Sequence, residues 1–318
     1  MSDVRRITIP IRIGEWTLAA PARDLHVRRA GIFDGPRSRI GPDAVRVPEG
    51  ADGCLLVQPV PEPGDAAARP EAPPPGMIRW TLGVGPRYFI RLEGTFDEYL
   101  ARFSAKTRSG LRRKWRRLLR EAGDEVRFAR FGAGEFAAFH ESAREVSRHT
   151  YQEIMFDAGL PDDPQSEAFM RRRMDAGRAE GFVLFIGDTP VAYLYCPCAN
   201  GVYEYQYVGF RPDYGHWSPG TVLLLMVLEA LFDEPGAAAF DFTAGAGESS
   251  HKSFYATDSK HFETVVILHR TPANQALILS RRLADSFSEL VGAVLRTLGV
   301  KRRVRSWIRA ARGVPDHP

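Results

Sequence analysis

A mixed layer of sheet and helix, of the α+β class, is what this sequence predicts, and three observations predict it. From Gly181 onward, "FVLFIGDTPVAYLYCPCANGVYEYQYVGF" reads as three antiparallel strands with turns at Gly187-Asp188 and Asn200-Gly201. The apolar run "SPGTVLLLMVLEALF" follows as a helix. Then "AAAFDFTAG" reads as a strand ending in a glycine-rich turn, and "KHFETVVILH" as a final strand. With two helices ahead of the strands, the order describes a mixed sheet flanked by helices and not a repeating βαβ wheel. No internal repeat is visible.

The elements follow in chain order. "RRITIPIRIGEWTLAAPA" alternates as a strand does, a β-rich start. "QPVPEPGDAAARPEAPPPGMI" is crowded with proline and small residues and reads as an exposed, semi-extended loop or linker. "IRWTLGVGPRYFIRL" resumes β character. From Thr95 the period becomes helical, first in "TFDEYLARFS" and then in "AKTRSGLRRKWRRLLREAG". In the second of these Leu111, Trp115, Leu118 and Leu119 form an apolar stripe, with Gly123 as the terminator. "EVRFARFG" is a short strand. "AGEFAAFHESAREVSRHTYQ" is a helix with Phe136, Phe139, Ala143 and Val146 inward, and "DPQSEAFMRRRMDAGRAEG" is another, capped near Asp163 or Ser166. Three regions result: a β-rich part over 1–92, an α/β domain over 93–271, and basic helices over 272–318.

Composition bounds the function. The 318 residues can bury a full core, and 44% hydrophobic with 26% charged residues is the balance of a soluble globular chain. The net charge of +4 conceals strong local bias. No signal-peptide-length apolar run follows "MSDVRR", and the longest apolar run, Thr221 to Phe232, is too short to span a bilayer. Cys54, Cys196 and Cys198 form no CxxC pair and read as reduced thiols, so a cytoplasmic protein without a metal site is the expectation. There is no GxxxxGK[ST] and no GxSxG. "TAGAGESS" lacks the third glycine and the helix of a dinucleotide loop.

The candidate anion-binding site is the turn Tyr214, Gly215, His216, Trp217, Ser218, Pro219, Gly220 and Thr221 that opens the apolar helix. A helix N-terminus presents unpaired N–H groups and a partial positive charge, which favours anions and phosphates above all. Gly215 and Gly220 let a ligand approach the backbone, Pro219 suits the first turn, and Ser218 is placed to cap. Together "YVGFRPDYGHWSPGTVLLLMVLEAL" and "FDFTAGAGESSHKSFY" resemble the acetyltransferase domain of the GNAT superfamily. Within it they are most similar to the cellulose-biosynthesis-associated (CelD/BcsL-type, BioF2-like) group. The likeness covers roughly residues 95–270 and leaves 1–92 as a β-rich extension and a candidate degenerate GNAT half. It implies a GNAT fold, acetyl-CoA or another acyl-CoA as co-substrate, and backbone N–H groups from His216 to Thr221 on the pyrophosphate. The sequence departs from the superfamily's usual Arg/Gln-x-x-Gly-x-Gly/Ala loop at Trp217 and Ser218. His251 stands where the narrower group has a Tyr before its Lys. FemX-like aminoacyl transfer shares the architecture and is the alternative donor reading.

Acyl transfer needs a base for the acceptor, a proton for the leaving thiolate and donors for the oxyanion. Strand alternation puts Glu204 and Gln206 on one face of "VYEYQYV" and the three tyrosines on the other, which makes Glu204 a candidate base. Asp241 lies between two phenylalanines on a strand aimed at the glycine-rich turn, with Lys252 as its expected partner. His251 and Tyr255 are candidate base and acid. The acceptor implied by the resemblance is a small molecule or a glycan precursor.

Basic residues crowd two segments. Arg102, Lys106, Arg108, Arg112, Arg113, Lys114, Arg116, Arg117 and Arg120 share one helical region, and a second group runs from Arg281 to Arg309. Solvated faces, CoA, an acidic glycan, an anionic membrane or nucleic acid would each account for them, and no specific nucleic-acid partner is expected. A non-catalytic polyanion-binding module on the same fold is the rival class. In the tail, Leu277, Leu283, Phe287, Leu290, Val294 and Leu298 sit at near-helical spacing beside arginines, and Trp307 follows. Both a packed helix and a peripheral anionic-membrane contact fit that pattern.

Overall fold

The computed structural model describes residues 4–13, 16–34, 45–60, 72–150, 159–244 and 250–297. The chain forms two compact units, residues 1–84 with 261–318, and residues 85–260. These divisions fall inside two long strands, whereas the sequence boundaries at 92/93 and 271/272 fall just after those strands, where the residue period changes.

In the first unit β1 (Val4–Thr8) pairs antiparallel with β4 (Ala22–Arg29), β4 pairs parallel with β5 (Gly53–Pro59), and β5 pairs antiparallel with β13 (Asp258–His269). A hairpin of β2 (Ile11–Ile13) and β3 (Trp16–Ala19) stands beside them. Every residue of β5 is buried, as its apolar run requires. Leu25, Leu55, Val266 and Leu268 pack with Leu277 and Ile278 of α7 (Pro272–Thr297). Glu263 is buried but satisfied, accepting from Gln58 at 2.9 Å and from Arg79 at 3.0 Å. The tail stripe read from the sequence divides here: Leu277 is inside, while Leu283 and Phe287 are 63% and 51% exposed. Six helical residues carry the chain about 240° around the axis, so Leu277 and Leu283 belong to different faces. Leu298 and Trp307 lie outside the described residues, as do the side chains of Leu290 and Val294.

The second unit holds the sheet order β6-β12-β10-β9-β8-β7. Its strands are β6 (Met77–Arg91, entering at Gly85), β7 (Val126–Phe131), β8 (Ala179–Ile186), β9 (Thr189–Ala199), β10 (Val202–Glu204) and β12 (Ala239–Ala244). The sheet is mixed: β10 and β12 are parallel, and the other pairs for which a register is defined are antiparallel. Gly187, with φ of 59°, turns β8 into β9, and Asn200 and Gly201, with φ of 51° and 75°, turn β9 into β10. Two left-handed residues in a row are what an Asn-Gly hairpin supplies.

Alternation along β8 and β9 divides the core by face. Phe182, Leu184, Ala192 and Leu194 join Val222, Leu224, Val227 and Leu228 of α5 (Pro219–Phe232). Val183, Phe185, Tyr193 and Tyr195 join Phe136, Phe139 and Ala143 of α3 (Phe136–Ser147) and Met170 and Met174 of α4 (Pro164–Asp175). Asp163 caps α4 by accepting from the Ser166 N–H at 2.9 Å, with Pro164 in the first turn. Thr95 and Glu98 form a capping box on α1 (Phe96–Ala101). Ser104 caps α2 (Ala105–Ala122), which ends at Gly123 with φ of 58°. On α2, Leu111 and Leu118 are buried, but Leu119 is 43% exposed because it is turned about 100° from Leu118. Among the described residues, no helix is long and apolar enough to cross a membrane.

Two glycines test this packing in opposite directions. A Cβ on Gly181 would lie 2.2 Å from the fully buried Phe139 ring, so Gly181→Ala should cost about 1–3 kcal/mol. Gly110, inside α2, has open space around a Cβ, so Gly110→Ala should add about 0.5–1 kcal/mol. Urea midpoints at unchanged m-value measure both.

Candidate active site

The site is built where two parallel strands part. By its residue pattern "VYEYQYVGF" is one strand; the structure breaks it after Glu204 into β10 and β11 (Tyr207–Phe210). β10 lies between β9 and β12, with Glu204 opposite Asp241. At the break the Tyr205 N–H donates to the Asp241 carbonyl at 2.8 Å, and the Gln206 N–H donates to the Tyr195 carbonyl at 3.3 Å. β11 then pairs with β9, while β12 continues against β6. The single tyrosine face expected from alternation is not kept: Tyr203 and Tyr205 pack in the core under α5 while Tyr207 packs in the core under α3, because the backbone changes partner between them.

Asp241 is fully buried, and its partner is Arg87, not the Lys252 expected from sequence. Arg87, itself 3% exposed, donates through Nε to Asp241 Oδ2 at 2.7 Å and reaches Glu204 Oε1 at 3.5 Å through Nη2. The other oxygen of Asp241 accepts from the Thr243 N–H at 2.8 Å. That bond holds Thr243 at φ of 59°, a left-handed conformation unusual for a β-branched residue, beside a register shift against β6. Local sequence does not single out Arg87, one of three arginines on β6 with Arg79 and Arg91. Its signal was parity: Arg87 and the buried Phe89 are two apart on one strand. Lys252 instead donates to the Thr243 carbonyl at 3.4 Å. Burial lowers the Lys252 pKa, opposed by the charge of Asp241.

The candidate donor turn is a 3₁₀ segment over Pro212–Trp217 running into α5. Ser218 does not cap α5 with its side chain. Its φ of 55° and ψ of 49° put it in the left-handed region, and its carbonyl accepts from the N–H groups of Thr221 and Val222. Pro219 occupies the first turn and is buried. Tyr214 and Trp217 pack against the core, and the Trp217 ring N–H donates to Glu121 Oε2 at 2.8 Å. Arg117 on α2 donates to the His216 carbonyl at 3.3 Å. A Cβ on Gly220 would meet the exposed Phe210 ring at 3.2 Å, and one on Gly215 would meet nothing.

α6 (Ser250–Tyr255) brings the remaining candidates to this turn. Tyr255 is buried, which raises its pKa, and a hydrogen bond with the Thr221 side chain opposes that rise. Its carbonyl accepts from the Tyr99 hydroxyl at 2.9 Å and from Arg102 at 3.0 Å, two residues not singled out as site residues. The His251 ring stands edge-on to Tyr255 with centroids 5.1 Å apart. Partial desolvation of the His251 ring, which keeps an exposed face, and then the Lys252 charge lower its pKa. The structure thus joins Thr221, Tyr255 and His251 in one group and Arg87, Asp241 and Glu204 in another. Phe242 links them, next to Asp241 on β12 and 6.5 Å from the Tyr255 ring. Gly245 to Ser249 of the glycine-rich turn lie outside the described residues.

Removing one member of a buried ion pair strands the other, so Asp241→Asn should cost about 3–5 kcal/mol. The double substitution Arg87→Met/Asp241→Leu should recover a large part of that loss. Denaturation midpoints of the three proteins measure the coupling.

Known proteins bear on residues 105–253, which match the family model described as an acetyltransferase (GNAT) domain. No curated protein matches the chain. Among solved structures, FemX is 12% identical, covering 82% of this chain and 88% of its own, with a TM-score of 0.48. L-PGS from Bacillus licheniformis is 17% identical, covering 73% of each chain, at 0.45. A GCN5-related N-acetyltransferase from Kribbella flavida is 15% identical, covering 68% of this chain and 67% of its own, at 0.34. Residues 105–253 are thus similar in sequence to a GNAT acetyltransferase domain, and the mixed sheet with flanking helices is of the α+β class of the GNAT fold.

Proposed function

We propose that this protein transfers an acyl group from an acyl-CoA thioester to an amine or hydroxyl of a small molecule or glycan precursor. The observation that carries this reading is the meeting of the α5 start with Tyr255 and His251 beside the parted strands β11 and β12. The start of α5 takes the diphosphate through its partial positive charge and the Gly220 N–H, the N–H groups of Thr221 and Val222 being engaged by the Ser218 carbonyl. The opening between β11 and β12 receives the pantetheine arm.

His251 then takes the acceptor's proton as its nitrogen or oxygen attacks the thioester carbonyl. Its lowered pKa keeps it neutral and able to accept. The tetrahedral intermediate collapses with loss of the CoA thiolate, to which Tyr255 supplies a proton. Arg87 and Asp241 act by position, holding the strand break and Glu204 beside it. Glu204, with a side chain 23% exposed, is the second candidate base. The likeness to the cellulose-biosynthesis-associated group belongs to this reading, supported by the Ser-Pro-Gly helix start and the Asp-Phe strand.

Thermal stabilisation tests the donor directly. CoA and acetyl-CoA should raise the melting midpoint while NAD and ATP leave it unchanged, since a ligand of the native state stabilises by mass action. No shift with any CoA thioester, together with stabilisation by an aminoacyl-tRNA, would move the donor to the FemX-like alternative. Gly220→Val should weaken CoA binding by about tenfold or more in a protein that still folds, because the exposed Phe210 ring can move aside.

The base is tested by pH. With His251 as the base, kcat/KM falls on the acid side through a pKa below the ordinary imidazole value. Lys252→Met removes a positive charge that disfavours the imidazolium, so the acid limb should shift to higher pH. An unmoved limb in the carboxylate range would give the role to Glu204.

A further inference from the structure

Six arginines, Arg108, Arg112, Arg113, Arg116, Arg117 and Arg120, line an open trough of about 540 Å³ along α2. They rise on one side of the helix over about 18 Å, at 1.5 Å per residue. Two carboxylates answer them: Asp97 pairs with Arg112 at 2.5 Å, and Glu121 pairs with Arg117 at 2.9 Å and Arg120 at 3.5 Å. Arg113 and Arg116 are exposed and have no ion pair among the described residues. Like charges one turn apart repel, so the bare array is unfavourable and a bound anion relieves it. Arg117 joins the trough to the donor turn, since it lines the one and donates to the His216 carbonyl in the other.

We propose that this trough binds the 3′-phosphoadenosine end of the CoA whose diphosphate sits at the start of α5, and that Arg113 and Arg116 read the 3′-phosphate. The proposal rests on the acyl-CoA reading. An open trough of this volume has room for a nucleotide-sized ligand lying along it. A guanidinium presents a planar fork that matches phosphate with two parallel hydrogen bonds, and its flat face can stack on a base. The departure of the donor turn from the usual glycine-rich loop fits this division of labour, because α2 supplies cations from outside the turn.

The test is calorimetric titration of the full-length protein with CoA and with dephospho-CoA, which lacks only the 3′-phosphate. Wild type should bind CoA at least tenfold more tightly. In Arg113→Ala/Arg116→Ala the ratio should fall below about twofold, with the dephospho-CoA affinity within twofold of wild type. Arg116→Gln alone gives the same readout should the double variant fail to fold. Equal affinities in wild type, or a preference that survives the substitutions, would overturn the assignment while leaving the acyl-CoA reading intact. Binding of neither ligand would overturn both. Saturable heparin binding without discrimination between the two CoA forms would assign the trough to a longer polyanion instead.

Discussion

The second unit depends on one buried ion pair. Arg87 and Asp241, at 3% and 0% side-chain exposure, sit where β10, β12 and β6 run side by side and the chain is about to change partners. A charged pair in such a place is a poor source of stability for its own sake, because desolvation offsets most of the attraction. What it supplies is position. Both carboxylate oxygens of Asp241 are engaged, one by Arg87 and one by the Thr243 N–H, so β12 leaves the pairing with a fixed bend. The same guanidinium reaches Glu204 at the last residue of β10. An apolar substitute could fill the volume but could not hold three backbone segments in this register.

Around that point the packing is conventional, and it explains the apolar helix that follows so polar a turn. α5 is buried on nearly every side, by Leu223 and Leu224 as well as Val227, Leu228 and Leu231, so its direction is set by the core. Its start is set by Ser218 in the left-handed region and by the first-turn proline. The backbone at that start, Gly220 included, is held in place by the packing of the helix behind it. Rigid support of this kind is what a phosphate-binding helix end requires, since preorganised donors need no reorganisation when the ligand arrives. Arg117, Glu121 and Trp217 brace the turn from the side of α2.

The two arginine populations of this unit do different work. Arg87, Arg102 and Arg144 are spent on carbonyls and carboxylates within the fold. The α2 arginines face outward, with more cations than acids in reach. Sequence composition treats the two alike, and a net charge of +4 hides both.

Periodicity alone determined much of this protein. The inward residues of α3, the Asn200-Gly201 hairpin, a cap near Asp163 or Ser166 and the Gly123 stop all follow from local sequence. Each depends on residues close together in the chain, where sterics and hydrogen bonding leave few choices. Tertiary structure decided what lies far apart in sequence. Arg87 and Asp241 are separated by 154 positions, so no local pattern could pair them against the nearer Lys252. The break after Glu204 depends on which strand offers the next carbonyl, and the left-handed Ser218 depends on how the 3₁₀ segment meets α5. Which arginines stay free of acids is settled the same way, by the neighbours that the fold brings within reach.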